Sequence, residues 1–411
     1  MVRVSRGTWT IFAIVTLNSV GWSATMPFLA VYLSSVRDVP LTVVGADYLV
    51  AGLLSLASQI VGGRMTDSIG PKTVMLAGYL FSAVSSLILS YLVGAGADTG
   101  FILVAYPVFN FLRGVSQPAT SALVANNEIG NLQTGLSVLA IAGNLGFAIG
   151  PALGGLLAQT VDYSSVFLLS AAVPVVTSAM TLLSVKGGLL AAPTGGARRR
   201  SPAGLRWRED RNLILFLLLT LGGFVAIGYE IAPISVYVQT FLRFSPEEIG
   251  YLFATNGLVI VLLQLPASAV FARAGRLVYP VVLACVFAGL SFVAAGLAST
   301  FPQWEGVMVL LTLGEIFLTV PSQTVVTMFS SAENRGTFQG YYSAAAVGGR
   351  SLAAFVGLYS FQLFAADPPL GWYVVSGFVA LVGLGFYVLA EPLQRDCSNA
   401  GGRVEPPARP G

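Results

Sequence analysis

Twelve stretches of this chain are long and apolar enough to cross a bilayer, and no other feature limits its fold as severely. They run approximately over 8–33, 42–62, 73–94, 101–124, 133–158, 164–185, 212–240, 246–270, 277–299, 305–328, 337–364 and 370–392. A spanning helix takes roughly 20 predominantly apolar residues. Inside the hydrocarbon no water can pair a backbone N–H or C=O, so helices and closed barrels are the only spanning structures. The runs are too long, and too rich in Gly, Ala and Leu, for barrel strands of about 10 residues. Only 9% of the 411 residues are charged, against about 25% in soluble proteins. The sequence therefore predicts an all-α, multi-pass membrane protein embedded in a lipid bilayer.

Arg3 and Arg6 precede the first run as they would in a signal peptide. The apolar part, however, far exceeds the roughly 7–15 residues of such signals, and a second span follows at once. The first run is read as a transmembrane helix. Positive charge sets its direction. Seventeen of the 21 basic residues fall in alternate loops or the two tails, whereas the opposite loops hold only Arg37 and Arg243. Both termini are expected in the cytoplasm, with the chain in the plasma membrane. The net charge of +3 reflects this asymmetry and gives no reason to expect a nucleic-acid partner. Cys285 and Cys397 lie too far apart in membrane depth to pair.

The chain reads as two like halves. At an offset of 205 positions Gly45 matches Gly250, Gln59 matches Gln264, Gly70 matches Gly275, Glu128 matches Glu333, Gly135 matches Gly340 and Gly143 matches Gly348. Pro27 with Pro233 and Pro118 with Pro321 need shifts of only one or two. The expected organisation is a six-helix bundle over 1–190, a cytosolic linker over 191–210, a second six-helix bundle over 211–395 and a tail over 396–411. The segment 187–210 is Gly/Pro-rich and then basic, as suits a linker near an inner leaflet. Parallel halves of this kind bind substrate near the midplane between them in one transporter architecture.

The charged stretch between the second and third runs, Gly63-Arg64-Met65-Thr66-Asp67-Ser68-Ile69-Gly70-Pro71-Lys72, resembles the cytosolic signature of the major facilitator superfamily, with Ser68 and Pro71 where that family usually places basic residues. Arg113, within Arg113-Gly114-Val115-Ser116-Gln117-Pro118, resembles the family's helix-4 arginine motif. Gly146, Gly150, Pro151, Gly154 and Gly155 in the fifth run are similar to the motif of its drug/proton antiporters. Glu333-Asn334-Arg335-Gly336 resembles a common loop of the second half. The resemblance covers essentially the whole chain. It implies twelve helices in two pseudo-symmetric bundles, alternating access, and an Asp67 that bonds across the cytosolic seam to shut the outward-open state. Asp67 is otherwise a solvated acid or a helix cap. The helix-5 glycines present a smooth stripe for a neighbouring backbone, and Pro151 bends the helix because it cannot donate one turn back. Such a bend either flexes an outer gate or serves ordinary packing.

Charges inside apolar helices cost roughly 2.5–3.5 kcal/mol each on insertion scales, and they face a cavity or a partner. The set is short: Asp47 in the second run, Arg113 in the fourth, Glu230 in the seventh, Glu315 in the tenth and Arg350 in the eleventh. With no histidine in the chain and arginine unable to release its proton, proton coupling has to rest on carboxylates. Burial disfavours the charged form of a carboxyl and a nearby arginine favours it, so such a group is tunable. Glu315 is expected to carry the proton, with Glu230 meeting a cationic substrate or a second proton. The alternative is a fixed Glu315–Arg350 ion pair that only joins helices. Asp47 lies near its helix end and is open to a structural role, and Arg113 is either a counter-ion or an anion contact. Asn18, Trp22, Asn110, Gln117, Asn144, Tyr229, Asn256, Tyr341 and Tyr342 are candidates to line a cavity.

There is no Gly-x-x-x-x-Gly-Lys-Ser/Thr phosphate loop and no His/Cys cluster at metal spacing. No cofactor, no metal and no catalysis are expected. The function expected is secondary transport by alternating access: proton-coupled efflux of hydrophobic or cationic small molecules by a monomer. The alternative is uptake of a metabolite or organic anion on the two arginines, and a non-transporting sensor is a further rival.

Overall fold

The computed structural model describes residues 5–128, 132–185, 210–274, 278–330 and 335–401. The linker over 191–210 falls outside the described residues except for Asp210, as do Glu333 and Asn334 and most of the tail. Everything described is helix or short turn. In order come α1 (Arg6–Val31), closed by a π-turn over Tyr32–Val36, α2 (Leu41–Ile69), α3 (Pro71–Gly94), α4 (Thr99–Gly114), α5 (Ser116–Asn127), α6 (Leu132–Thr160) and α7 (Tyr163–Ser184). The second half holds α8 (Arg211–Gly228), α9 (Ala232–Thr240), α10 (Pro246–Ala274), α11 (Val278–Leu297), α12 (Phe301–Met328), α13 (Arg335–Leu363) and α14 (Pro369–Gly401). Taken with their breaks these make 12 spans. The shortest, Val278–Leu297, has 20 residues and so reaches about 30 Å, the thickness of the hydrocarbon. An even number of crossings returns the chain to the end of the bundle where it began. The outward faces are apolar, with Ile60, Leu183 and Leu381 exposed, as lipid contact requires.

Two spans that read as unbroken runs are each made of two helices, and proline is the reason in both. Pro233 cannot donate to the Tyr229 carbonyl, which takes the Ile234 N–H instead at 3.0 Å. The chain leaves the helix over Tyr229-Glu230-Ile231. In the fourth span Pro118 deprives the Gly114 carbonyl of its partner in the same way, and α4 gives way to α5 at Val115. The equivalent prolines of the other half, Pro27 and Pro321, lie inside helices that stay continuous. At Pro27 the neighbouring turn is held from outside: the Tyr48 hydroxyl donates to Met26 O at 2.6 Å and accepts from Ala30 N at 3.1 Å.

The charged stretch between α2 and α3 is helical to Ile69, and the reversal rests on one residue. Gly70 has φ 86 and ψ 151, a region that glycine enters freely and L side chains do not. Pro71 then starts α3, where its missing N–H is one no helix would use. Lys72 Nζ donates to Leu182 O at 3.2 Å and so ties the reversal to the end of α7.

In the second half, Trp372 is buried among Phe361 (4.8 Å), Tyr237 (5.0 Å) and Trp304 (5.6 Å). Aromatic pairs of this kind add about 0.5–1.5 kcal/mol each beyond their burial. They lock α9, α12, α13 and α14 together at the end away from the termini. Small residues seal the halves to each other at that same end. Gly45 and Gly52 of α2 lie against Phe355 and Ser351 of α13, and Gly250 and Gly257 of α10 lie against Pro151 and Ala148 of α6. Any side chain at Gly257 would strike the Ala148 backbone.

Candidate functional site

A cavity of about 430 Å³ lies between the halves, walled by α1, α3, α4, α5, α6, α10, α12, α13 and the break in the seventh span. It runs from mid-bundle, at Met26 and Ile231, toward the end carrying the termini, at Ser121 and Leu139. Four of the five intramembrane charges line it: Arg113, Glu230, Glu315 and Arg350. Asp47 does not. It sits on α2 beside Tyr48, whose ring packs on Tyr106 of α4 at 4.9 Å, so it is buried in a helix–helix contact of the first half. Its Oδ2 has no hydrogen-bond partner among the described residues.

On the second-half wall three charges form one unit. Arg350 Nη1 binds Glu230 Oε1 at 2.9 Å, and Nη2 binds Glu315 Oε1 at 2.5 Å. The other oxygens meet Asn256, whose Nδ2 lies 3.2 Å from Glu230 Oε2 and 3.3 Å from Glu315 Oε2. The same Nδ2 is 3.0 Å from Thr312 Oγ1. Glu230 is held where the Pro233 break ends α8, and Gly228 lets that turn press on the Arg350 backbone. Two carboxyl groups share one guanidinium, so with both ionised the unit carries one negative charge in surplus. The Glu230 side chain is 3% exposed, Glu315 13% and Arg350 28%, so Glu315 is the acid that the cavity reaches more readily.

The first-half wall carries the opposite sign. The Arg113 guanidinium lies over the Trp22 ring at 3.9 Å, a distance suited to cation–π attraction. No carboxylate pairs with it among the described residues, and its buried Nε has no partner. Trp22 in turn packs on Phe147, which meets Phe253 of the other half, each pair at 6.3 Å.

Of the polar and aromatic candidates, Asn18, Trp22, Gln117, Asn144 and Asn256 line the cavity. Asn110 is turned back onto Tyr106 O and Tyr342 onto Thr319 O, and Tyr229 packs against Phe292 and Trp372. Thr312 escaped the sequence reading, because threonine in a helix usually bonds its own backbone, as Thr312 also does to Met308 O.

Asp67 is exposed in the last turn of α2, and no hydrogen bond reaches it among the described residues. Among the described residues no bond from Asp67 crosses the seam, and the halves meet at the other end. Gly63 faces open space, so its small size is not used. The helix-5 set divides between two surfaces. Gly146, Gly150 and Gly154 lie against Ser19, Ser23 and Ala24 of α1, within one half. Gly155 and the Pro151 carbonyl lie on the seam, against Pro246 and Gly250 of α10.

The sequence matches the profile of the Major Facilitator Superfamily over residues 11–354. The uncharacterized MFS-type transporter YttB of Bacillus subtilis (strain 168) is 26% identical over 346 residues, covering 83% of this chain and 85% of that protein. The multidrug resistance protein MdtH of Aeromonas hydrophila is 24% identical over 386 residues, 90% of this chain and 92% of its own. Among solved structures, a mutant of the nucleoside transporter NupG superposes with a TM-score of 0.80 at 14% identity, over 93% of this chain and all of that one. A mutant of the peptide transporter POT bound to alafosfalin gives 0.77 at 16% identity, over 95% of both chains. Profile, relatives and fold agree: the chain belongs to the Major Facilitator Superfamily and is an integral membrane transporter of small molecules.

Proposed function

We propose that this protein is a proton-coupled antiporter that exports hydrophobic cations by alternating access. The observation that carries this reading is that two acids, Glu230 and Glu315, share one guanidinium, Arg350, on the cavity wall, a unit with one surplus negative charge when both acids are ionised. A substrate cation neutralises that surplus, and so does a proton on Glu315; the two compete for one charge. Protonation leaves Arg350 satisfied by Glu230 and expels the cation, and deprotonation prepares the site for the next one. No bond is made or broken in the substrate, so the chain is not an enzyme on this reading. The positive-inside asymmetry assigns the termini, and with them the open end of the cavity, to the cytoplasm. The protein would then be held as a monomer in the plasma membrane, loading from inside. A cavity of about 430 Å³ falls within the roughly 300–1,000 Å³ of drug-sized sites. Relatives named for multidrug resistance and for methylenomycin A resistance support export.

The test is gradient-driven movement of a lipophilic cationic dye in liposomes, with wild type and Glu315→Gln side by side. Wild type is expected to move the dye only while the pH difference lasts, and the variant is expected not to respond to it. A folded wild type that leaves the dye unmoved would overturn the reading.

Arg113 favours a second reading, uptake of an organic anion, because it is a cavity cation that no carboxylate neutralises. On that reading Arg113→Ala abolishes substrate binding altogether, whereas on the export reading a cationic dye still binds.

A further inference from the structure

We infer that the cavity is built for amphoteric aromatic compounds, molecules with a cationic group and a carboxylate on one flat body, rather than for simple cations. The inference rests on the cation site proposed above and adds a second pole to it. Arg350 spends its guanidinium on two carboxylates, whereas Arg113 pairs with none among the described residues. Yet Arg113 is held as firmly as a binding group needs to be. Its planar face lies on Trp22 at 3.9 Å, which fixes the plane in which its N–H groups point, and its Nε is buried without an acceptor.

A buried guanidinium N–H lacking an acceptor, as at Arg113 Nε, is unfavourable, and a planar carboxylate matches the fork of such a group. Glu230 and Glu315 supply the pole for the cationic end on the facing half. Trp22 and Phe147 line the same cavity as both poles and offer a surface for an aromatic body. A substrate that reaches both poles touches both halves at once, which is what alternating access asks of it.

The test compares a rhodamine carrying a free carboxylate with its own methyl ester, which keeps the cation and the ring system and loses the anion. Binding to the purified full-length protein is followed by dye anisotropy. A hydrogen bond to a charged group contributes about 1.5–3 kcal/mol, so wild type is expected to bind the free acid at least about tenfold more tightly than the ester. In Arg113→Gln the ratio of the two affinities should fall to about one. Excess benzoate offers the same discrimination without mutation: it should weaken the free acid toward the affinity of the ester and leave the ester alone.

Equal binding of the two dyes by wild type, a preference that survives Arg113→Gln, or equal displacement of both by benzoate would overturn the inference while leaving the cation site standing. Wild type that bound neither dye would overturn both.

Discussion

Arg350 holds two acids with one guanidinium, so the three side chains behave as a unit and not as two pairs. Removing the arginine leaves Glu230, 3% exposed, beside a second carboxylate with nothing to balance either. Arg350→Gln is therefore expected to destabilise the protein by about 3–5 kcal/mol, seen as a lower thermal midpoint in detergent. Glu230→Gln in the same background should restore most of that loss; a double variant no more stable than the single one would contradict the shared-charge arrangement. These residues were legible in the sequence because a charge in an apolar run stands out. Asn256 was legible as a cavity candidate but not as the bridge between the two acids, and Thr312 was not legible at all, since neutral polar residues are common in helices and these two lie 56 positions apart. Asp47 was legible as a charge but not as an outsider to the cavity. Which face of α2 it occupies depends on α4, and one helix does not reveal that.

At the scale of elements, the placement of Glu230 follows from a proline three residues later. With an alanine at 233, the Tyr229 carbonyl regains its ordinary partner and α8 joins α9. Pro233→Ala should then leave the fold intact, slow dye export by an order of magnitude or more through displacement of Glu230, and weaken dye binding in the same preparation. Unchanged export would show that the break has no part in the site. The proline was plain in the sequence, but whether it breaks its helix was not: Pro27 stands at the equivalent place and α1 continues, braced by Tyr48 from α2. Helix identity and order were readable because periodicity and length are local properties. Continuity was not, because neighbours decide it. The seam makes a sharper demand, since α6 and α10 touch through backbone. Gly257→Val should wedge the halves apart at that end and reduce export at least about tenfold with normal expression, and a fully active variant would argue against a sealed seam there.

At the scale of the whole molecule, a hydrogen bond between described residues of the two halves crosses the closed end in a place suited to a latch. Pro40 leaves the start of α2 without a side-chain cap, and Gln362 of the other half supplies one, accepting from Thr42 N at 2.9 Å. A helix cap contributes about 0.5–2 kcal/mol, so Gln362→Ala should shift the balance of the two open forms roughly 2- to 30-fold toward opening at that end. Thiol labelling of a cysteine placed on the cavity wall, applied from the outside, reads the shift directly, and an unchanged labelling rate would remove the latch from the account.

The two-bundle architecture was expected from the repeat at an offset of 205, whereas the latch was not, because the counterparts of Thr42 and Gln362 at that offset, Glu247 and Leu157, do not repeat the pair. A last consequence returns to the shared arginine. If a single proton and a single monovalent cation take turns at the same surplus charge, each cycle moves one positive charge outward and one inward. An amphoteric substrate of no net charge would move one charge per cycle, whereas for a monovalent cationic dye the exchange is electrically silent. Its driving force is then the acidity difference alone, and clamping the membrane voltage anywhere in the physiological range should leave the rate of dye export as it was.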